Sequence, residues 1–155
     1  MFDVPIDGWY AWVGIAGMSL VTLGIAAGMP AGPTPDAVGV ADTIDRVAAE
    51  EYPTTAEHGL AADRIRLAPN RISLRGPGGS TTAIIEFAPV TPASGDERLS
   101  RILRGEPPDR VFESPEAFSE AARESRQREP RWRSAPTRLR IRAVHWEEER
   151  VTLVG

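Results

Sequence analysis

The C-terminal stretch "TRLRIRAVHWEEERVTLVG" (residues 137–155) has the most regular pattern in the chain. Apolar Leu139, Ile141 and Ala143 occupy every second position of its first half. They alternate with three arginines, Arg138, Arg140 and Arg142. A period of two residues is typical of a β-strand with one buried face. The acids "EEE" (147–149) separate this strand from a second apolar run at 151–154, so the stretch predicts a terminal β-hairpin.

Three strand-like runs lie upstream of the hairpin. They are "RIRLA" (64–68), "RISLR" (71–75) and "STTAIIEFAPV" (80–90). Pro69-Asn70 separates the first two and "GPGG" (76–79) precedes the third, and these residue types favour turns. The third run is more continuously apolar than the other two, so we expect it to be the central strand.

Three helices are predicted from capping residues and from apolar positions that share one face. Asp36 begins the first, which runs to about Glu51; the second lies in "DERLSRILRG" (96–105), and the third begins at Ser114-Pro115. The residues expected to face inward are Val40, Ile44, Val47, Ala48, Leu99, Ile102, Leu103, Phe118, Ala121 and Ala122. This order of elements predicts an α+β fold with an antiparallel sheet of about five strands and two to three helices.

An uncharged run of 21 residues, at positions 9–29, precedes these elements. About 20 apolar residues are enough for a helix to cross the hydrocarbon core of a bilayer. Trp9, Tyr10 and Trp12 cluster at one end of the run, and such amphipathic rings favour the headgroup level. The run therefore predicts a transmembrane helix. It divides the chain into an N-terminal tail (1–8), the membrane helix (9–29), a Pro/Gly linker (30–37) and an α+β soluble domain (38–155).

Two other interpretations of the run are weaker. A cleaved signal peptide lacks support because no basic residue precedes the run, and a buried core helix of this length would be unusual in a small domain. Gly24 and Gly28 form a GxxxG pair, the spacing at which two membrane helices can approach closely. Orientation is not encoded by charge, since the first basic residue is Arg46.

The charge of the soluble part is distributed unevenly. All 18 basic residues are arginines, and the chain has no cysteine, which excludes disulfides, thiolate metal sites and a cysteine nucleophile. Residues 30–63 contain seven acids and one arginine, whereas residues 123–142 contain eight arginines and two glutamates. The second segment is the strongest polar feature of the sequence.

This arginine-rich segment is the candidate interaction surface. Its residues are Arg131, Trp132, Arg133, Arg138, Arg140 and Arg142. The surface could pair with the acidic residues 30–63 of this chain or of a neighbour, remain a solvated face, contact anionic lipid headgroups, or bind nucleic acid. A protein held at a membrane is a poor candidate for nucleic-acid work, so no nucleic acid is expected as a partner.

Other polar residues form no catalytic set. His145 precedes the acids at 147–149, but consecutive residues in a hairpin turn point in different directions, and His58 has no partner at metal-ligand spacing. "GPGG" lacks the Lys-Ser/Thr ending of a phosphate loop. We therefore predict no catalytic residue, metal site, cofactor or small-molecule substrate, and a protein that is not an enzyme.

Four stretches resemble a haloarchaeal family of uncharacterised single-pass membrane proteins that are encoded near type IV pilus-like or type II/IV secretion genes. They are "MFDVPIDGWYAWVGIA" (1–16), "RILRGEPPDRVFESPEAF" (101–118), "EPRWRSAPTRLRIRAV" (129–144) and "VTLVG" (151–155). The resemblance implies a membrane-anchored accessory or structural protein of an archaeal pilus-like or secretion apparatus, with an extracellular domain that contacts proteins. The alternative function is a membrane-tethered domain that binds a ligand or lipid headgroups through its arginine-rich face.

Overall fold

The computed structural model describes residues 32–155, which fold around two four-stranded β-sheets. The predicted membrane helix (9–29) and its glycine pair, Gly24 and Gly28, lie outside the described residues. Among residues 32–155, no helix is both long enough and apolar enough to cross a bilayer.

The described part of the chain contains three α-helices and eight strands. The helices are α1 (Ala37–Ala49), α2 (Glu97–Leu103) and α3 (Pro115–Gln127), with a 3₁₀ turn at Pro108–Arg110. The strands are β1 (Thr55–Gly59), β2 (Arg64–Ala68), β3 (Arg71–Gly76), β4 (Gly79–Ile84), β5 (Thr91–Pro92), β6 (Arg133–Ser134), β7 (Arg138–Trp146) and β8 (Glu149–Val154).

The strands form two sheets, so the prediction of one antiparallel sheet of about five strands is wrong in number and arrangement. Sheet 1 has the order β1-β7-β8-β5 and sheet 2 the order β4-β3-β2-β6. All neighbours are antiparallel except β5 and β8, which run parallel. The α+β class and the C-terminal hairpin of β7 and β8 are confirmed.

The run at 80–90 is not a central strand, contrary to the prediction. It forms β4 at the edge of sheet 2 and leaves the sheet after Ile84. Beyond that point the backbone N–H groups of Glu86 and Phe87 donate to the carboxylate of Asp45 at 3.0–3.2 Å. Ile85 and Val90 lie in the loop after β4, but their side chains are buried in the core. The apolar residues of this part of the run are therefore explained by burial and not by strand pairing.

The helices begin at the predicted caps. The carboxylate of Asp36 accepts a hydrogen bond from the N–H of Gly39 at 2.8 Å, and the hydroxyl of Ser114 accepts one from Ala117. Asp96 accepts from the first turn of α2. Every residue predicted to face inward from the three helices is buried.

Two hydrophobic cores lie on opposite faces of sheet 1. Leu139 and Ile141 of β7 pack with α1 and sheet 2, whereas Val144 of β7 and Val151 and Leu153 of β8 pack with α2 and α3. Alternation along β7 and β8 supplies both cores from the same strands. Sheet 1 is therefore the shared middle layer of the domain.

Candidate interaction surfaces

The structure divides the predicted arginine-rich surface between two faces of the domain. Arg133 of β6 is paired in register with Ile65, a core residue of β2, so its side chain lies on the inner side of sheet 2. Trp132 immediately precedes Arg133 and lies on the outer side, because consecutive residues of an extended chain point to opposite faces. The two residues therefore belong to different surfaces.

Arg138 and Arg140 share one carboxylate partner, Glu57 of β1. Nε and Nη2 of Arg140 donate to Oε1 of Glu57 at 3.0 and 2.6 Å, and Nη1 of Arg138 lies 3.5 Å from Oε2. The hydrogen bond from Arg140 and its positive charge lower the pKa of the Glu57 carboxyl below its usual value. Glu57 belongs to the acid-rich segment 30–63, so part of the arginine-rich segment pairs within the chain.

The side chain of Arg142 makes a hydrogen bond to the backbone of the domain. Its Nη1 donates to the carbonyl oxygen of Ile102 at 2.7 Å, at the C-terminal end of α2. The same carbonyl oxygen also accepts from the backbone N–H of Gly105 at 2.9 Å, so Arg142 adds a charged donor at the helix end that favours a cation. Burial under the helix lowers the pKa of the Arg142 guanidinium.

Arg133, Arg138 and Arg140 line one cleft, which we call the arginine cleft, with a volume of about 420 Å³. Its other walls include Arg104, Glu57 and Ser94. A second hollow of about 630 Å³ shares Ser94 and Arg133 with it and is also lined by Arg128 and Arg131. Of the six predicted surface residues, three thus meet in one cleft, and Arg131 lies in the neighbouring hollow.

Arg133 differs from the other arginines of the cleft. Its Nη2 is buried and has no hydrogen-bond partner among residues 32–155. Burial lowers the pKa of its guanidinium. In the described part of the chain no carboxylate forms an ion pair with it, whereas Arg138 and Arg140 both have Glu57.

Trp132 belongs to a basic surface that the sequence analysis missed. The guanidinium carbons of Arg66 and Arg75 lie 5.0 and 4.7 Å from the centroid of its ring, and Nη2 of Arg64 donates to its carbonyl oxygen. Arg71 lies on the same face, because Ile72 and Leu74 of β3 face the core. We call Arg64, Arg66, Arg71, Arg75 and Trp132 the basic sheet face.

The signal for this face was present in the sequence. In "RIRLA" and "RISLR" the apolar positions predict strands, and four of the six alternate positions are arginine. Antiparallel pairing of β2 and β3 brings these arginines onto one surface, with Arg64 directly opposite Arg75. The contact of Trp132 with these arginines could not be predicted, because Trp132 lies more than fifty residues further along the chain.

Neither histidine joins these surfaces. Nδ1 of His58 lies 2.9 Å from the hydroxyl oxygen of Thr43. Burial and the nearby charge of Arg150 lower the pKa of His145, whose Nε2 has no hydrogen-bond partner within residues 32–155. Over the same residues, no group of three or more acidic or histidine side chains has the arrangement of a metal site.

Comparison with known proteins gives one match. The model of a family described as one of unknown function matches residues 3–144, a range that contains the uncharged run and most of the α+β domain. No curated protein and no solved structure matches the chain.

Proposed function

Because the chain belongs to DUF7283, a family of unknown function, we propose its role from its own residues: a membrane-anchored, non-enzymatic protein that acts through protein contacts of its α+β domain. Residues 9–29 are the anchor in this proposal, embedded among membrane lipids. The observation that carries the proposal is the basic sheet face. Arginine is protonated at all physiological pH values, so its concentration on one face suits binding of anionic groups and not proton transfer.

The basic sheet face has the composition of a binding surface. Arg64 lies directly opposite Arg75, and like charges in such a cross-strand pair are destabilising. None of the ion pairs within residues 32–155 includes an arginine of this face. Arginine and tryptophan are also the residue types most enriched at binding hot spots. An acidic surface of a partner protein would supply the missing carboxylates.

Residues 32–35 pack against the turn between β3 and β4, the strands of sheet 2 next to the basic sheet face. Thr34 donates through its hydroxyl to the carbonyl oxygen of Gly78, and the hydroxyl of Thr81 donates to the carbonyl oxygen of Pro35, so the segment 32–35 lies on the β3–β4 turn.

The cellular setting is proposed from the resemblance to haloarchaeal single-pass membrane proteins. We infer that the partner is a component of an archaeal pilus-like or secretion apparatus and that the domain is on the extracellular side. Charge near the span contributes nothing to this orientation, because the first basic residue of the chain is Arg46.

Affinity purification of the full-length chain from native membranes tests the proposal. The test variant carries Arg64→Gln, Arg66→Gln and Arg75→Gln; the matched control carries Arg46→Gln, Arg110→Gln and Arg123→Gln and has the same net charge. We expect envelope proteins to co-purify with the wild type and the control and to be lost from the test variant. Recovery of the same proteins with all three forms would refute a role for this face.

The second candidate is binding of anionic lipid headgroups by the same face. It is favoured by the composition of the face, in which the guanidinium groups of Arg66 and Arg75 lie over the amphipathic ring of Trp132, since both residue types suit the headgroup level of an anionic membrane. Flotation of residues 32–155 with anionic and with zwitterionic vesicles separates the candidates. Binding only to anionic vesicles, lost in the triple variant and kept in its control, would favour lipid.

A further inference from the structure

The arginine cleft has more positive than negative side chains. Its walls carry four arginines, Arg104, Arg133, Arg138 and Arg140, and one carboxylate, Glu57. Arg104 is paired with Glu97 at 2.6 Å, and Arg138 and Arg140 share Glu57. Arg133 is the arginine of these four that forms no ion pair within residues 32–155.

Arg133 and Arg138 are the arginines of the cleft with the weakest pairing. Arg133 has a buried Nη2 without a hydrogen-bond partner in the described part of the chain. Nη1 of Arg138 lies 3.5 Å from Oε2 of Glu57, whereas Arg140 holds Oε1 of the same carboxylate with two shorter hydrogen bonds. An unpaired guanidinium in a partly buried site is costly, and a bound anion offsets that cost.

We propose that the arginine cleft binds a small phosphate monoester, whose negative charge is met by Arg133, which has no carboxylate partner within residues 32–155, and by Arg138, which shares its partner with Arg140. Phosphate oxygens accept paired hydrogen bonds from the planar guanidinium fork. The volume of about 420 Å³ lies within the range of small-molecule sites. In this site Arg133 and Arg138 hold the phosphate, and Glu57 keeps Arg140 in position at the wall.

Titration calorimetry of the full-length chain in a non-ionic detergent at low salt tests the site. The probes are inorganic phosphate, glycerol phosphate and succinate. We expect saturable binding of glycerol phosphate, weakened about 10-fold or more by Arg133→Met, because a charge-assisted bond is lost. Arg123→Met is the control: this arginine is exposed on α3 and pairs with Glu120, away from the cleft.

The outcomes that would overturn the proposal are distinct. They are absence of binding of both phosphate probes, equal binding by wild type and Arg133→Met, or tighter binding of succinate than of glycerol phosphate. Binding of inorganic phosphate as tight as that of the monoester would also contradict the assignment, since it would leave most of the cleft unused.

The shift in Tm caused by the ligand is a second measurement, and it can be made with two different variants. Glycerol phosphate is expected to raise the Tm of the wild type and not that of Arg133→Met. If Arg133→Met does not fold, Arg138→Gln serves instead, since 73% of this side chain is exposed and its loss leaves the core intact. An undiminished Tm shift in Arg138→Gln would argue against the site.

Discussion

At the scale of single residues, the partner of each arginine decides its role. Arg142 donates to the buried end of α2, whereas Arg140 is part of an ion pair at the surface. Arg142→Met should lower the free energy of unfolding by about 1–3 kcal/mol, because the carbonyl group of Ile102 loses its charged donor. Arg140→Met should cost at most about 1 kcal/mol, as exposed pairs contribute little. Urea denaturation of both variants measures the difference, and equal losses would contradict it.

His145 should make the domain less stable in mild acid. Burial and Arg150 lower its pKa from the ordinary value of 6.5, so the unfolded chain takes up the proton first as the pH falls. Stability is therefore expected to fall as the pH drops through 6.5 toward the lower pKa of the folded state. The carboxyl of Glu57, whose pKa is also lowered, contributes a loss only below about 4.5.

Chemical denaturation at pH 7.5 and pH 5.5 isolates this histidine. In His145→Gln the difference in unfolding free energy between the two pH values should be smaller than in the wild type, because the titrating group is gone. An equally large difference in the variant would assign the acid sensitivity to another group.

At the scale of elements, the contact between the linker and the β3–β4 turn depends on one glycine. A Cβ at position 78 would lie 2.5 Å from the carbonyl carbon of Pro33, too close for the backbone to tolerate. Gly78→Ala should therefore displace residues 32–35 and destabilise the domain by about 1–3 kcal/mol. Gly59→Ala is the control, since a Cβ there meets no atom within 4 Å. Hydrogen exchange of residues 34–37 should rise in Gly78→Ala alone; unchanged protection would contradict this.

Elements with local signals were predictable from the sequence. The strict alternation of β7 and the caps Asp36, Asp96 and Ser114 depend on residues only a few positions apart, and they are found as predicted. β5 and β6 have two residues each, which is too few to show a period of two. They are strands only through their pairing with β8 and β2, which are distant in the sequence. The end of β4 at Ile84 depends on Asp45 of α1, a distant partner.

The candidate surfaces were predictable only in part for the same reason. The excess of arginine at 123–142 is visible in the sequence, but its division is not, since it depends on which face of sheet 2 each residue reaches. Trp132 meets Arg66 and Arg75 across the strand register, and Arg133 turns inward beside it. The number of charges in a segment of sequence does not show which of two neighbouring residues lies on which face of a sheet.

At the scale of the whole molecule, the two cores share sheet 1. Residues of β7 alternate between the core of α1 and sheet 2 and the core of α2 and α3. Neither core can lose its packing without exposing one face of the same strands. Gly32–Gly155 is a compact unit, and we expect it to unfold in one cooperative step in spite of its two cores.

Two tryptophans make this expectation measurable in residues 32–155. Trp132 contacts arginines of sheet 2, and Trp146 packs against Phe118 of α3 at 6.3 Å between ring centroids, so each reports on one side of sheet 1. Trp146→Phe and Trp132→Phe leave one reporter each, because the remaining tryptophans of the chain, Trp9 and Trp12, precede this unit. In each variant, the urea midpoint from fluorescence should coincide with the midpoint from circular dichroism. A fluorescence midpoint for Trp146 well below that of the backbone signal would instead mean that α2 and α3 detach first, and that the shared sheet does not couple the two cores.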